Sequence, residues 1–372
     1  MANILSLVTF KIFPPQMGGQ KGVALFYKYL SQINSIIIAG PSDNDDSHNN
    51  NIFLEKMLYS NKWIYLNIFN LRGLIKLMAK HKTDIIIAEH SYPAFIGWVL
   101  RKITSKPFII HSHNMEAHRF QQMNKWWWRL YWHYERWIHR QADYNFFISE
   151  EDASIAVSQF KINRNKCMVI PYGVEKPMLY ADAGAQLRKQ FQLSENVVLF
   201  YFNGTLNYKP NEDAVKVLLE KIDPLLRKLL TDYRILITGK NLEGELLRKT
   251  KQSDNFIFCG YADDISIYYQ GCAIFLNPVV NSSGIKTKVV EAIANNCTVV
   301  STASGASGVP VEVCNNKLVV VADNDWQKFV EQAVAHAKQK TPTPASFYDY
   351  FYWPNLADKA SNKINDIVKH NG

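Results

Sequence analysis

Short apolar runs punctuate the chain, separated by polar or amphipathic stretches. In the first half they are Ile4–Phe10, Ser35–Ala39, Asp84–Ala88, Pro107–His111, Tyr144–Ile148 and Cys167–Ile170. The second half has Asn196–Phe202, Tyr233–Thr238, Asn255–Cys259, Ala273–Leu276, Thr298–Ser301 and Lys317–Val321. Runs this short, with helical patterns such as Glu212–Leu230 and Asp325–Lys338 between them, predict strands alternating with helices, hence parallel sheets with crossover helices. Two such series predict two Rossmann-like units. The polar tract Ser42–Asn51 reads as a surface loop, and the weakly patterned segment after Pro171-Tyr172-Gly173 as a linker. Leu356, Ala360, Ile364 and Ile367 recur at helical spacing and predict an amphipathic terminal helix.

A length of 372 residues exceeds what one core usually organises, in keeping with two domains. Apolar residues at 47% and charged residues at 20% exclude a disordered chain. The net charge of +9 calls for an anionic partner: a nucleotide diphosphate, an anionic lipid surface or nucleic acid. No basic run is interleaved with a nucleic-acid motif, so nucleic acid is not expected. Cys167, Cys259, Cys272, Cys297 and Cys314 are odd in number and show no C-x-x-C spacing, so they read as thiols of a reducing compartment, with no metal site. The opening run lacks a basic leader and ends at Lys11, and nowhere do roughly 18 uncharged apolar residues occur together. These features predict a cytoplasmic protein, at most peripheral on the inner face of a membrane.

Four segments carry candidate chemistry. Gly18 and Gly19 follow the first strand and open a helix, where backbone amides favour anions; a plain tight turn is the simpler reading. His113 should lie at the carboxyl end of a parallel strand, where open α/β sheets bind ligands, with His111 and His118 as rivals. Asn203-Gly204-Thr205 ends the first strand of the second half, followed by Lys209, which is either a diphosphate ligand or a solvated loop lysine. In Ser283-Gly284-Ile285-Lys286-Thr287-Lys288, a glycine-containing loop precedes a helix whose first amides and two lysines make an anion site, with Glu291 one turn further in. The same lysines could equally be ordinary surface residues.

In order and separation, Pro14-Pro15-Gln16-Met17-Gly18-Gly19, His113-Asn114-Met115-Glu116, Asn203-Gly204-Thr205 and Gly284–Ala292 resemble glycosyltransferase family 4, in its glycogen-synthase and phosphatidylinositol-mannosyltransferase-like group. The resemblance implies a GT-B fold: two Rossmann-like domains facing each other across a cleft, residues 1–175 for the acceptor and 190–350 for the nucleotide sugar. Residues 351–372 would form a helix returning to the first domain. It further implies a metal-independent, cofactor-free retaining transfer from a UDP- or GDP-sugar to a glycan or lipid-linked acceptor in cell-envelope polysaccharide synthesis. His113, Lys286 and Glu291 are the implied catalytic residues. The implied donor-binding set is Gly18, Gly19, Asn203, Gly204, Thr205, Lys209, Ser283, Gly284, Ile285, Lys286, Thr287, Lys288 and Glu291, and Glu116 and His118 would meet the acceptor. Ser283 stands where the family usually has a glutamate, and the usual Arg–Lys pair near Gly204 is absent. A nucleotide-sugar epimerase and a non-catalytic nucleotide-sugar-binding protein are the rival functions.

One further stretch, Lys125–Arg140, sorts on a helical projection into an apolar face (Trp127, Leu130, Tyr131, Tyr134, Ile138) and a cationic face (Lys125, Arg129, Trp132, Arg136, Arg140). The second face suits an anionic membrane surface, or is simply a solvated helix face with one half-exposed tryptophan.

Overall fold

A computed structural model describes residues 1–15, 18–45, 51–280, 286–339 and 341–371, with the backbone alone described for 61–65 and 371. Strands β1 (Asn3–Leu7), β2 (Ser35–Gly40), β3 (Ile52–Lys56), β4 (Ile85–Glu89), β5 (Phe108–Ser112), β6 (Tyr144–Phe147) and β7 (Cys167–Val169) form a seven-stranded sheet. Its order is β3-β2-β1-β4-β5-β6-β7, and every pairing is parallel. Strands β8 (Val198–Thr205), β9 (Tyr233–Lys240), β10 (Phe256–Gly260), β11 (Ile274–Asn277), β12 (Thr298–Thr302) and β13 (Leu318–Val321) form a second parallel sheet, ordered β10-β9-β8-β11-β12-β13.

Functional side chains are carried by α1 (Gly18–Leu30), α2 (Glu116–Gln122), α3 (Trp128–Gln141), α4 (Glu150–Phe160), α5 (Lys209–Val217), α6 (Thr287–Ala294) and α7 (Trp353–Asn371). Central strands are buried on both faces, which is why they read as continuous apolar runs. At the edge, β3 buries only Ile52, exposes Phe53 and ends on Glu55-Lys56, too weak an apolar run to predict a strand.

Contacts divide the chain into Met1–Gly173 with Trp353–Gly372, and Val174–Tyr352. In the first unit α7 lies against α1, with Trp353, Leu356, Ala360 and Ile364 sharing a core with Phe26, Leu30 and Ile4. Asn34 Nδ2 donates to Ser361 Oγ at 2.8 Å in the same buried region. The weakly patterned segment after Gly173 is no free linker: its helix Ala183–Gln190 buries Leu187 in the second unit's core. The helical pattern of Glu212–Leu230 is interrupted by a π turn at Leu218–Ile222, just before Pro224, whose ring removes a backbone donor.

Part of the polar tract is structural. Asn44 is buried and its Oδ1 accepts from the backbone N–H of Ile12 and Phe13 at 2.7 and 2.9 Å, pinning the loop that leaves β1. All five cysteines are free. Among the described residues no helix is long and apolar enough to cross a membrane.

Candidate active site

Sheet order reverses between β1 and β4 in the first unit and between β8 and β11 in the second, and the carboxyl ends of strands at such switch points are where open α/β sheets hold ligands. The sequence-predicted residues fall at both. In the first unit Gly18 and Gly19 open α1, both exposed. A Cβ added to Gly19 would meet nothing within 4 Å, so packing does not demand a glycine there.

His113 follows β5, half-buried, and its Nε2 lies 2.5 Å from Glu89 Oε2. Glu89 ends β4 opposite His111 in the parallel register and is fully buried. Its Oε1 accepts from Tyr27 Oη at 2.5 Å and faces His111 Nδ1 at 3.2 Å. Burial alone would push the Glu89 carboxyl up, but the His111 and His113 imidazoles outweigh it and hold the group well below the usual carboxylate range. Burial, then the neighbouring His111, moves His113 below its ordinary value against the pull of Glu89. The His90 ring packs on His113 at 4.6 Å between centroids, from a left-handed backbone at φ 68°. Burial, then His113, lowers His90 further. Three ligand-type atoms of Glu89, His111 and His113 lie within 4.8 Å of one another, a spacing a divalent cation could span. Each facing pair is nonetheless at hydrogen-bond distance, so the carboxylate is satisfied by protein donors alone.

Glu116, which the resemblance gave to the acceptor, lies by this cluster, its Oε1 3.5 Å from His90 Nδ1. The Glu116 side chain is fully buried, accepting from Tyr92 Oη at 2.5 Å and Arg119 Nη1 at 3.0 Å. His118 instead pairs with Gln159 at 3.2 Å and lines a separate cavity of about 470 Å³ with Trp128, Arg129 and Trp132.

In the second unit Asn203, Gly204 and Thr205 end β8, and α6 begins just after Lys286. Lys286 is buried at the N-cap position of α6, whose first amides carry the partial positive charge of a helix N-terminus. Lys288 lies inside that helix, and its Nζ donates to Asn203 O at 2.9 Å and Asn211 Oδ1 at 2.7 Å, over the Phe202 ring. Burial first, then Lys286, pushes the Lys288 ammonium down to about 7, with Glu291 acting the other way. Lys288 is therefore a strut between α6 and the β8 loop rather than a lysine reaching into solvent. Asn203 is committed as well, its Nδ2 donating to Tyr269 Oη at 2.7 Å. A Cβ on Gly204 would lie 2.6 Å from Asn211 Nδ2, so this glycine is required by packing. Thr287 opens α6 and Glu291 is half-buried one turn along. Lys209 starts α5 at the surface and pairs with Asp213 at 2.7 Å, so a diphosphate would have to compete for it. Ser283, Gly284 and Ile285 lie outside the described residues.

Sequence reasoning missed Glu89, His90 and Tyr27. The signal was an acid and a histidine closing an apolar strand at the switch point, which sequence order alone does not reveal.

Residues 24–176 match the family model Glycosyltransferase Family 4, and residues 197–339 match Glycosyl transferases group 1. The chain carries two glycosyltransferase domains. A curated relative, an uncharacterized 44.6 kDa protein in cps region from Klebsiella pneumoniae, is 22% identical over 83% of this glycosyltransferase and 80% of its own length. The crystal structure of a glycosyltransferase from Rickettsia africae ESF-5 covers 99% of both chains with a TM-score of 0.75 at 17% identity. That of Anabaena HepE in complex with UDP covers 98% of this chain and 100% of its own, with a TM-score of 0.76 at 16% identity. Likeness at such identity speaks for the fold, which is GT-B.

The glycosyltransferase's helix α3 presents a different face from the one expected. Leu130, read as core, is 68% exposed, and Trp132, read as part of the cationic face, is half-buried against Phe160 of α4. Glu135 sets this rotation: it is fully buried and accepts from the backbone N–H of Glu116 and Ala117, both at 2.9 Å, capping α2. The exposed stripe is Trp126, Arg129, Leu130, His133, Trp137 and Arg140.

Proposed function

We propose that this glycosyltransferase moves a sugar from a UDP- or GDP-sugar to a glycan or lipid-linked acceptor of a cell-envelope polysaccharide, with retention and without metal or cofactor. The observation that carries the reading is the start of α6 at the switch point of the second sheet, with Lys286 at its N-cap position ahead of the helix's first amides. A pyrophosphate held there would leave easily, because fixed positive charge stabilises the departing diphosphate as the sugar becomes oxocarbenium-like. Glu291 would accept from the ribose hydroxyls and His113 would steady the sugar. The acceptor would attack on the leaving-group side, with the departing phosphate taking its proton. Ser283 and Gly284–Ile285 would complete the donor loop, and Gly18–Gly19 would add amides to it. UDP in the HepE complex supports the nucleotide class, and the cps region of the Klebsiella relative supports the destination.

The acceptor's membrane is the second partner. Trp126 is 84% exposed on a surface that also carries Met123, Leu130, Lys125, Arg129 and Arg140, the mixture of apolar and cationic side chains that suits an anionic lipid interface. The protein would work in the cytoplasm, peripheral on the inner face of the membrane, with no role for nucleic acid.

Donor consumption measured with and without acceptor tests the reading. Transfer predicts nucleotide release that requires acceptor. Sugar interconversion without acceptor would mark an epimerase, and binding with no turnover of any nucleotide sugar would mark a binding protein; either result rejects it.

A further inference from the structure

We propose that Glu89 is a positioning residue for His113, holding the imidazole with Nε2 as its donor edge and Nδ1 as its acceptor edge. The inference rests on the reading of His113 as the group that steadies the donor sugar. Three side chains converge on the Glu89 carboxylate: Tyr27 from α1, His111 from β5 and His113 just beyond it. A carboxylate only accepts, so the His113 nitrogen 2.5 Å away carries the proton. In the neutral ring, which these buried surroundings favour, the second nitrogen is left with a lone pair. His90, packed on one face of the ring at 4.6 Å, and His111, at 4.3 Å, restrict its rotation.

Such an imidazole accepts from a sugar hydroxyl and brings no positive charge beside a carbon that is itself becoming positive. Without Glu89 the ring could take the other tautomer and offer an N–H where an acceptor is needed. Tyr27 helps by fixing the carboxylate, and His111 both fixes it and packs against the His113 ring.

Long-range ¹H–¹⁵N spectra of the full chain labelled at histidine test this directly, with His113 assigned through His113→Asn. The expected result is a single Nε2–H tautomer for His113, and a mixture or the Nδ1–H form in Glu89→Gln. A Nδ1–H signal in the wild type, or no change in Glu89→Gln, overturns the proposal. In the transfer assay Glu89→Gln should lower kcat on the order of 100-fold, with the donor KM changed less than about three-fold. Glu89→Asp should recover part of the loss. A loss confined to KM, or none, also overturns it, as does activity removed by a chelator and restored by a divalent cation. Should His113→Asn leave kcat intact, the reading of His113 fails and the tautomer spectra still judge Glu89. If His113→Asn abolishes turnover and Glu89→Gln does not, this inference alone fails.

Discussion

Adding one methyl group separates what packing demands at Gly19 from what it demands at Gly204. At Gly204 the new carbon collides with the Asn211 amide, which also receives Lys288 and donates to Thr205 O. Gly204→Ala should therefore lower stability by about 1–3 kcal/mol in denaturant unfolding. Gly19→Ala should leave stability within about 0.5 kcal/mol yet reduce transfer, because in the proposed donor site the ligand would fill the open space there. Equal stability losses in the two variants would refute the distinction. Lys288 gives a pH-dependent counterpart. Its folded value of about 7 lies below the value near 10.4 of the unfolded chain. Between those values the unfolded chain binds more protons, so the fold gains stability as pH rises through that window. An anion beside Lys288 opposes the shift, so binding of a UDP-sugar should take up a proton and weaken as pH rises from about 7 to 9. Calorimetry in two buffers of different ionisation enthalpy measures this, and uptake that persists in Lys288→Met assigns it elsewhere. His113 was readable from sequence because it follows an apolar strand. Glu89 was not, because its role comes from the register of β4 against β5 and from Tyr27, 62 residues away.

Helix α3 shows where periodicity stops informing. Its amphipathic pattern was correctly seen, but the buried arc is centred on Glu135, Ile138 and His139, with a carboxylate in the place a projection reserves for apolar residues. Hydropathy cannot anticipate a buried acid whose partners are the unpaired amides of another helix. Glu135→Leu should strand the Glu116 and Ala117 donors and cost about 2–4 kcal/mol, read as a lowered thermal midpoint; an unchanged midpoint would deny the capping role. The opposite arc makes the element's second prediction. Co-sedimentation should show binding to vesicles rich in phosphatidylglycerol and little to phosphatidylcholine, weakened by added salt. Replacing Trp126 and Leu130 by serine should reduce it without loss of fold. Binding indifferent to lipid charge would remove the membrane from the account.

For the whole molecule, alternation of short apolar runs foretold parallel sheets in two units, and the strand orders agree with it. What alternation omitted was the edge strand β3, half exposed, and the place of the Ala183–Gln190 helix, whose single fully buried leucine leaves almost no pattern. The switch points follow from strand order, which no local pattern contains. They give the two groups of residues a common logic, each at the carboxyl ends of strands where the sheet reverses. The structure of the full chain crystallised with UDP tests that logic most directly. Pyrophosphate oxygens within hydrogen-bond distance of the Thr287 and Lys288 amides and of Lys286 Nζ are the predicted result. A diphosphate bound away from the start of α6 would contradict it.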